Sequence, residues 1–225
     1  MMAAIAPEDF ARDFARDFAR FADRPIDYVG PERLAAMLGI GPAATERLAA
    51  APRFSERLSG LLIEDLGACR ADAAGVGDLR IALLPPAQVG RLPLSFGCLC
   101  HADAIRRIIL GQARARLVAA VGDDLYRLAL HAPDFGFAAD TENEEALPLA
   151  IAEAGTRLFL GWLRHLPRPV ARRVALMLPE GVLAEGVLPE GMALSGGPGE
   201  APPAAMLAYL AEAWWSEPSD AGAVR

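Results

Sequence analysis

Phenylalanine recurs every four positions near the start of the chain, in the stretch FARDFARDFARF. At 3.6 residues per helical turn, Phe10, Phe14 and Phe18 drift slowly around a helix axis, and Phe21 returns to their side. Each Asp is followed three residues later by an Arg, a spacing that supports an exposed helical face. A four-residue unit is far too short for a solenoid, whose repeats span about 20–50 residues. The pattern predicts one amphipathic helix over residues 7–22, with Phe14 and Phe18 on the protein's own core and the Asp/Arg face in water.

Proline and glycine divide the following chain into short and medium helices. Pro31 suits the first position of a helix that Gly39 closes. One later segment places four leucines on a shared helical face, namely Leu58, Leu61, Leu62 and Leu66. The longest helix is predicted from about Glu144 to Leu166, with acidic residues in its first turn and Pro148 near its start. The predicted fold class is mainly α, an irregular bundle of short and medium helices.

The last quarter of the chain changes in character. The repeat LPEGV-LAEGV-LPEGM is typical of successive tight turns, so a small β-hairpin near residues 178–194 and an irregular loop both stay open. Glycine and proline then predict a linker over residues 195–204, followed by a helix over 205–217 and a mobile tail over 218–225. Residues 1–194 are therefore expected to form a single helical domain.

Composition removes several functional classes. All 22 basic side chains are arginine, so enzymes that need a lysine, such as P-loop NTPases, Schiff-base enzymes and common kinases, are excluded. The net charge of −7 argues against nucleic acid as a partner, although residues 103–122 keep a helix-turn-helix regulator as an alternative. The absence of an apolar leader or a spanning segment, together with only three cysteines, indicates a cytoplasmic protein without membrane insertion.

The best candidate for chemistry is the run Cys98-Leu99-Cys100-His101. On a helix, residues two apart point about 200° away from each other, so Cys98 and Cys100 would diverge. Zinc ligands usually come in pairs two to four residues apart, and only His131 and His165 remain for a second pair. We expect no metal, no cofactor and no catalytic residue. A soluble helical enzyme or thiol protein that uses Cys98, Cys100 and His101 stays as the alternative function.

Two groups of arginines are candidates for binding an acidic protein partner. Charge runs are usually solvated faces, but arginine is also enriched at the energetic centres of interfaces. One group lies in the middle of the chain and the other follows the longest helix. The candidate partner-binding residues are Arg106, Arg107, Arg114, Arg116, Arg164, Arg168, Arg172 and Arg173.

Three stretches resemble one protein family. They are DRPIDYVGPERL near the start, ALLPPAQVGRLPLSFGCLCHADAIRRIILGQARARLVAAVGDDLYRLALHAP in the middle and, more weakly, FLGWLRHLPRPVARRVALMLP. Together they cover a little under half of the chain. They are similar to the SctK family, also called YscK or OrgA/MxiK, a cytoplasmic sorting-platform component of type III secretion systems. The FARD unit, the PEGV repeat and the linker depart from that pattern.

The resemblance implies a mostly helical, non-enzymatic adaptor. Such a protein would join the cytosolic domain of the inner-membrane ring protein SctD to SctQ, which in turn carries SctL and the ATPase. It would act at the cytoplasmic face of the inner membrane once assembled.

Overall fold

A computed structural model describes residues 7–108, 111–137, 144–178 and 201–215. These residues form thirteen α-helices and no strand, which confirms the mainly α prediction. The helices are α1 (Pro7–Asp23), α2 (Pro31–Leu38), α3 (Pro42–Ala50), α4 (Pro52–Leu66), α5 (Val76–Ala82), α6 (Pro86–Val89), α7 (Leu92–Cys100), α8 (Ala102–Arg107), α9 (Gly111–Val121), α10 (Asp123–His131), α11 (Leu147–His165), α12 (Arg168–Met177) and α13 (Ala204–Trp215). Pro25–Tyr28 and Ala71–Ala73 are short 3-10 helices. None of the described helices combines the length and the apolar character that a bilayer crossing requires.

The helices belong to two compact units. Unit 1 comprises Met1–Gly90 and Leu166–Ser195, and unit 2 comprises Arg91–His165 and Gly196–Arg225. Unit 1 is therefore discontinuous, because the chain leaves it after Gly90 and returns at Leu166. That residues 1–194 unfold as one domain stays a prediction.

Unit 1 encloses an aliphatic core. Side chains of α2, α4, α12 and the 3-10 helix at Pro25–Tyr28 contribute to it. The buried side chains of this core are Ile26, Leu34, Leu62, Leu66 and Leu176. In α1, Phe21 is fully buried and its ring meets the ring of Tyr28 edge-on at a centroid distance of 5.4 Å. Phe14 and Phe18 are half-buried, while Arg16 is exposed and pairs with Asp13. Phe21, not the middle of the repeat, is thus the anchor of α1.

Unit 2 is built on the close contact of α7 with α11. Gly97 of α7 lies against the backbone of Ile151, and Gly155 of α11 lies against the backbone of Pro93. A Cβ at either glycine would overlap a carbonyl oxygen of the facing helix. Glycine is needed at both positions because the two backbones touch.

Helix α13 also packs within unit 2. Its buried side chains are Met206, Leu207, Leu210 and Ala211. The hydroxyl of Tyr209 donates a hydrogen bond to the carbonyl of Leu128 at 3.1 Å, and its ring meets Phe135. One face of α13 is thus buried, and the hydroxyl of Tyr209 has a hydrogen-bond acceptor. Both interactions stabilise the packing of this short apolar helix in unit 2.

Two helix starts differ from the sequence-based expectation, and three predicted segments lie wholly or mostly outside the described residues. Helix α11 begins at Leu147, not Glu144, because Pro148 lacks an N–H and is tolerated only in the first turn. Helix α13 begins at Ala204. The hairpin expected near 178–194, most of the linker and the tail lie outside the described residues.

Candidate interaction surface

The candidate arginines fall into two groups, those bound to the chain itself and those left at the surface. Arg173 belongs to the first group and is 2% exposed. Its guanidinium donates hydrogen bonds to the carbonyls of Gly67 and Pro169, each at 3.0 Å, and of Ala22 at 3.1 Å. Burial lowers the pKa of Arg173. A side chain enclosed in this way has no surface to offer a partner.

Arg172 and Arg106 are also bound by neighbouring groups. Arg172 donates to both the carbonyl and the carboxylate of Asp65. Arg106 donates to Asp103, to the carbonyl of Leu130 in the last turn of α10 and to the carbonyl of Ala132, which directly follows α10. Both side chains cap the C-terminal end of a helix. Backbone carbonyls there have no intrahelical donor, and the helix dipole favours a cation.

The remaining candidates lie nearer the surface. Arg114 stands over the ring of Tyr126 at 5.2 Å, and Arg116 pairs with Glu145 at 3.5 Å with both side chains exposed. Arg107 and Arg168 are exposed, and Arg164 is half-buried. In the described part of the chain these last three have no hydrogen-bond or ion-pair partner. Arg168 belongs to unit 1 and the other four to unit 2.

The thiol segment has the properties of a packed core. Cys98 is fully buried, and burial raises the pKa of its thiol to about 12. His101 is buried as well, which lowers the pKa of its imidazole. Ser95 donates its hydroxyl proton to the carbonyl of Arg91 at 2.9 Å. A thiol that stays protonated at neutral pH is a poor nucleophile, so Cys98 does not favour the thiol-enzyme alternative. Cys100, the other thiol of this run, is half-buried.

No group of three or more histidine, cysteine or acidic side chains capable of holding a metal ion occurs among the described residues. Cys69, which lies apart from the Cys98 segment, is half-buried and its thiol pKa is raised by that burial. The described residues therefore bring no set of metal ligands together.

One surface was missed by the sequence reasoning. The leucine pattern places Leu61 on one face with Leu58, Leu62 and Leu66, but Leu61 is 55% exposed, and Phe54 on the same helix is 53% exposed. Leu58, Leu62 and Leu66 do face the core. At 100° per residue, Leu61 lies on the side of Phe54 rather than of Leu62. The spacing of Phe54 and Leu61, seven residues apart, was the signal available in the sequence.

A comparison with protein families matches residues 18–195 to the model described as YOP proteins translocation protein K (YscK). The match includes α2 to α12 and the last residues of α1, and it stops before α13. No curated protein and no solved structure matches the chain.

Proposed function

Because this chain belongs to the YscK family of type III secretion proteins, we propose that it is a non-enzymatic adaptor of the secretion sorting platform. It links the cytosolic domain of the inner-membrane ring protein SctD to SctQ, and it works at the cytoplasmic face of the inner membrane. The family match over residues 18–195 is the observation that carries this proposal.

The arginines at the surface support a protein-binding role. Arg107 and Arg168 are exposed and have no partner among the described residues, and Arg116 makes only an exposed pair. Exposed ion pairs contribute about 0–1 kcal/mol, so Arg116 can exchange Glu145 for a partner's carboxylate at little cost. Arginine is also among the residues enriched at the energetic centres of interfaces.

Co-purification tests the adaptor role. The full chain, the SctD cytosolic domain and SctQ from the same apparatus are purified separately and mixed at micromolar concentration. We expect one complex that contains all three proteins. Retention of neither partner contradicts the proposed function, and retention of only one contradicts the linking role.

Charge reversal tests the arginines. Arg107→Glu combined with Arg116→Glu should weaken capture of a partner, because it replaces two exposed cations by anions. Arg70→Glu is the control, since Arg70 is an exposed arginine whose described partner, Asp72, is exposed too. Equal loss of capture in both variants would indicate a general charge effect and would remove the arginines of unit 2 from the interface.

A further inference from the structure

The outer face of α4 combines exposed apolar side chains with arginines that have no partner. Phe54 and Leu61 are 53% and 55% exposed and lie about 10 Å apart along the helix axis, at almost the same angle around it. Arg53 and Arg57 lie beside them, both exposed. Neither arginine has a hydrogen-bond or ion-pair partner anywhere in the described ranges.

Unpaired arginines are a minority among the described residues. Most arginines of the described residues are bound to something: Arg20 to Asp27, Arg91 to Asp124, Arg127 to Asp123. The chain carries 29 acidic residues against 22 basic ones, so carboxylates are plentiful. Arg53 and Arg57 are nevertheless left unpaired one helical turn apart, next to two large apolar side chains in water.

The inner face of the same helix shows why the outer face is free to bind. Leu62 and Leu66 are buried in the core of unit 1, and Leu58 packs against that core. The helix is therefore held by its opposite side, and Phe54 and Leu61 are not needed to keep it in place. At Gly60, on the outer side, an added Cβ would meet nothing within 4 Å, so another backbone can approach closely.

Charge determines which partner fits this face. Arg53 and Arg57 lie toward the N-terminal end of α4, where the helix dipole adds positive potential. The acidic residue Glu64 lies beyond Leu61, near the other end. Glu56 is exposed as well, but it lies about 160° around the helix axis from Phe54. The positive potential is thus strongest around Phe54 and between the two apolar side chains. A segment that covers them must place carboxylates there.

From this arrangement we infer that the outer face of α4, formed by Arg53, Phe54, Arg57 and Leu61, binds an acidic amphipathic helix of a partner protein. Two apolar side chains of that helix, about seven residues apart, cover Phe54 and Leu61. Carboxylates beside them pair with Arg53 and Arg57, which gives the site both an apolar centre and a polar rim. The inference rests on the proposed adaptor function, and it specifies the surface and the chemical class of the partner.

A double variant with a matched control tests this surface. Phe54→Ser/Arg57→Glu removes one apolar anchor and reverses one charge. Val76→Ser/Arg70→Glu makes the same two kinds of change elsewhere in unit 1, at a valine that is 65% exposed and an exposed arginine. Both variants alter exposed side chains, so their thermal midpoints should stay close to that of the unchanged chain.

Binding of the purified SctD cytosolic domain and of SctQ is then measured by calorimetry for each chain. We expect the first variant to bind one of the two proteins at least about tenfold more weakly, and the control to stay within about twofold. Added salt should weaken the complex of the unchanged chain more than the complex of the Phe54→Ser/Arg57→Glu variant, because exposed ion pairs are screened.

The outcomes separate this inference from the proposed function. If the unchanged chain binds and the Phe54→Ser/Arg57→Glu variant binds equally well, only the assignment of α4 is overturned. If the unchanged chain binds neither protein, both the function and the assignment fail. If the chain alone forms a dimer by light scattering and this variant abolishes it, the occupant is a second copy, and the acidic partner helix is wrong.

Discussion

The guanidinium of Arg173 is held by the carbonyl ends of two helices instead of a carboxylate. Ala22 is in the last turn of α1, and Gly67 directly follows α4. Carbonyls at helix C-termini lack intrahelical donors and carry partial negative charge, so together they compensate a buried cation. The Nε of Arg173 has no partner among the described groups, which leaves the two terminal nitrogens to make the bonds.

Arg173→Met should lower the free energy of unfolding by about 2–4 kcal/mol, because it leaves the carbonyls of Ala22 and Gly67 without a donor in the interior. Arg173→Lys should recover only part of this loss, since one ammonium cannot reproduce a fork of two nitrogens. Urea unfolding measures both. The control is Arg168→Met at an exposed position of the same helix, expected within about 0.5 kcal/mol of the unchanged chain. Equal losses for the two methionine variants would contradict the capping role.

Sequence reasoning could find Arg173 but not its role. A run of arginines without acids predicts a surface, because charge is usually solvated. The carbonyls that accept hydrogen bonds from Arg173 include those of Ala22 and Gly67, which are 151 and 106 residues away in the chain. The neighbouring Arg168 belongs to the same run and is exposed. The pattern alone does not distinguish the two.

At the scale of helices, both ends of α2 could be predicted from the sequence, whereas the contacts between helices could not. Pro31 opens α2 and Gly39, with a φ of +65°, closes it, as expected from local chemistry. The glycines of α7 and α11 did not predict that these helices touch. The need for glycine inside a helix becomes visible only when the backbone packed against it is known. Gly155 and Pro93 are 62 positions apart in sequence, yet they set the distance between these two helices.

Gly155→Ala should destabilise the protein by about 1–3 kcal/mol or more, because the new methyl group overlaps the carbonyl of Pro93 and backbone cannot yield as a side chain can. Thermal or urea unfolding checks the value. Gly60→Ala is the matched change in an open part of a helix and should leave stability unchanged or raise it by up to about 1 kcal/mol. A neutral Gly155→Ala would mean that α7 and α11 can separate without cost.

The phenylalanines of α1 should contribute unequally. Phe21→Ala is expected to cost about 3–5 kcal/mol because that ring is fully buried, and Phe14→Ala less, because that ring is half-buried. Arg16→Ala should change stability by under about 0.5 kcal/mol, since its ion pairs are exposed. Melting curves rank the three variants. If Phe14→Ala leaves stability untouched but abolishes partner capture, the apolar stripe is an interface.

At the scale of the whole molecule, the expected single domain can be tested with the natural tryptophans. All three tryptophans, Trp162, Trp214 and Trp215, belong to unit 2. Their fluorescence reports on unit 2, whereas far-ultraviolet circular dichroism reports on the helices of both units. Unit 1 contains two separate stretches of chain with residues 91–165 between them, which favours joint unfolding.

We expect the two signals to give the same urea midpoint, as a two-state transition requires. Arg173→Met, a change in unit 1, should then move the fluorescence midpoint together with the dichroism midpoint. A fluorescence midpoint that stays fixed while the dichroism curve splits would show that the units unfold separately, and the prediction of one domain over residues 1–194 would be wrong.

On the ribosome, the carbonyls of Ala22 and Gly67 emerge long before the cation that binds them. Arg173 follows Gly67 by 106 residues, which corresponds to about 5–20 s of translation at about 5–20 residues per second. During that interval water is the available donor at the ends of α1 and α4, and residues 91–165 are synthesised in full. Unit 1 contains the part of the chain that is translated first. It is nevertheless complete only after residues 91–165, which belong to unit 2, have been synthesised.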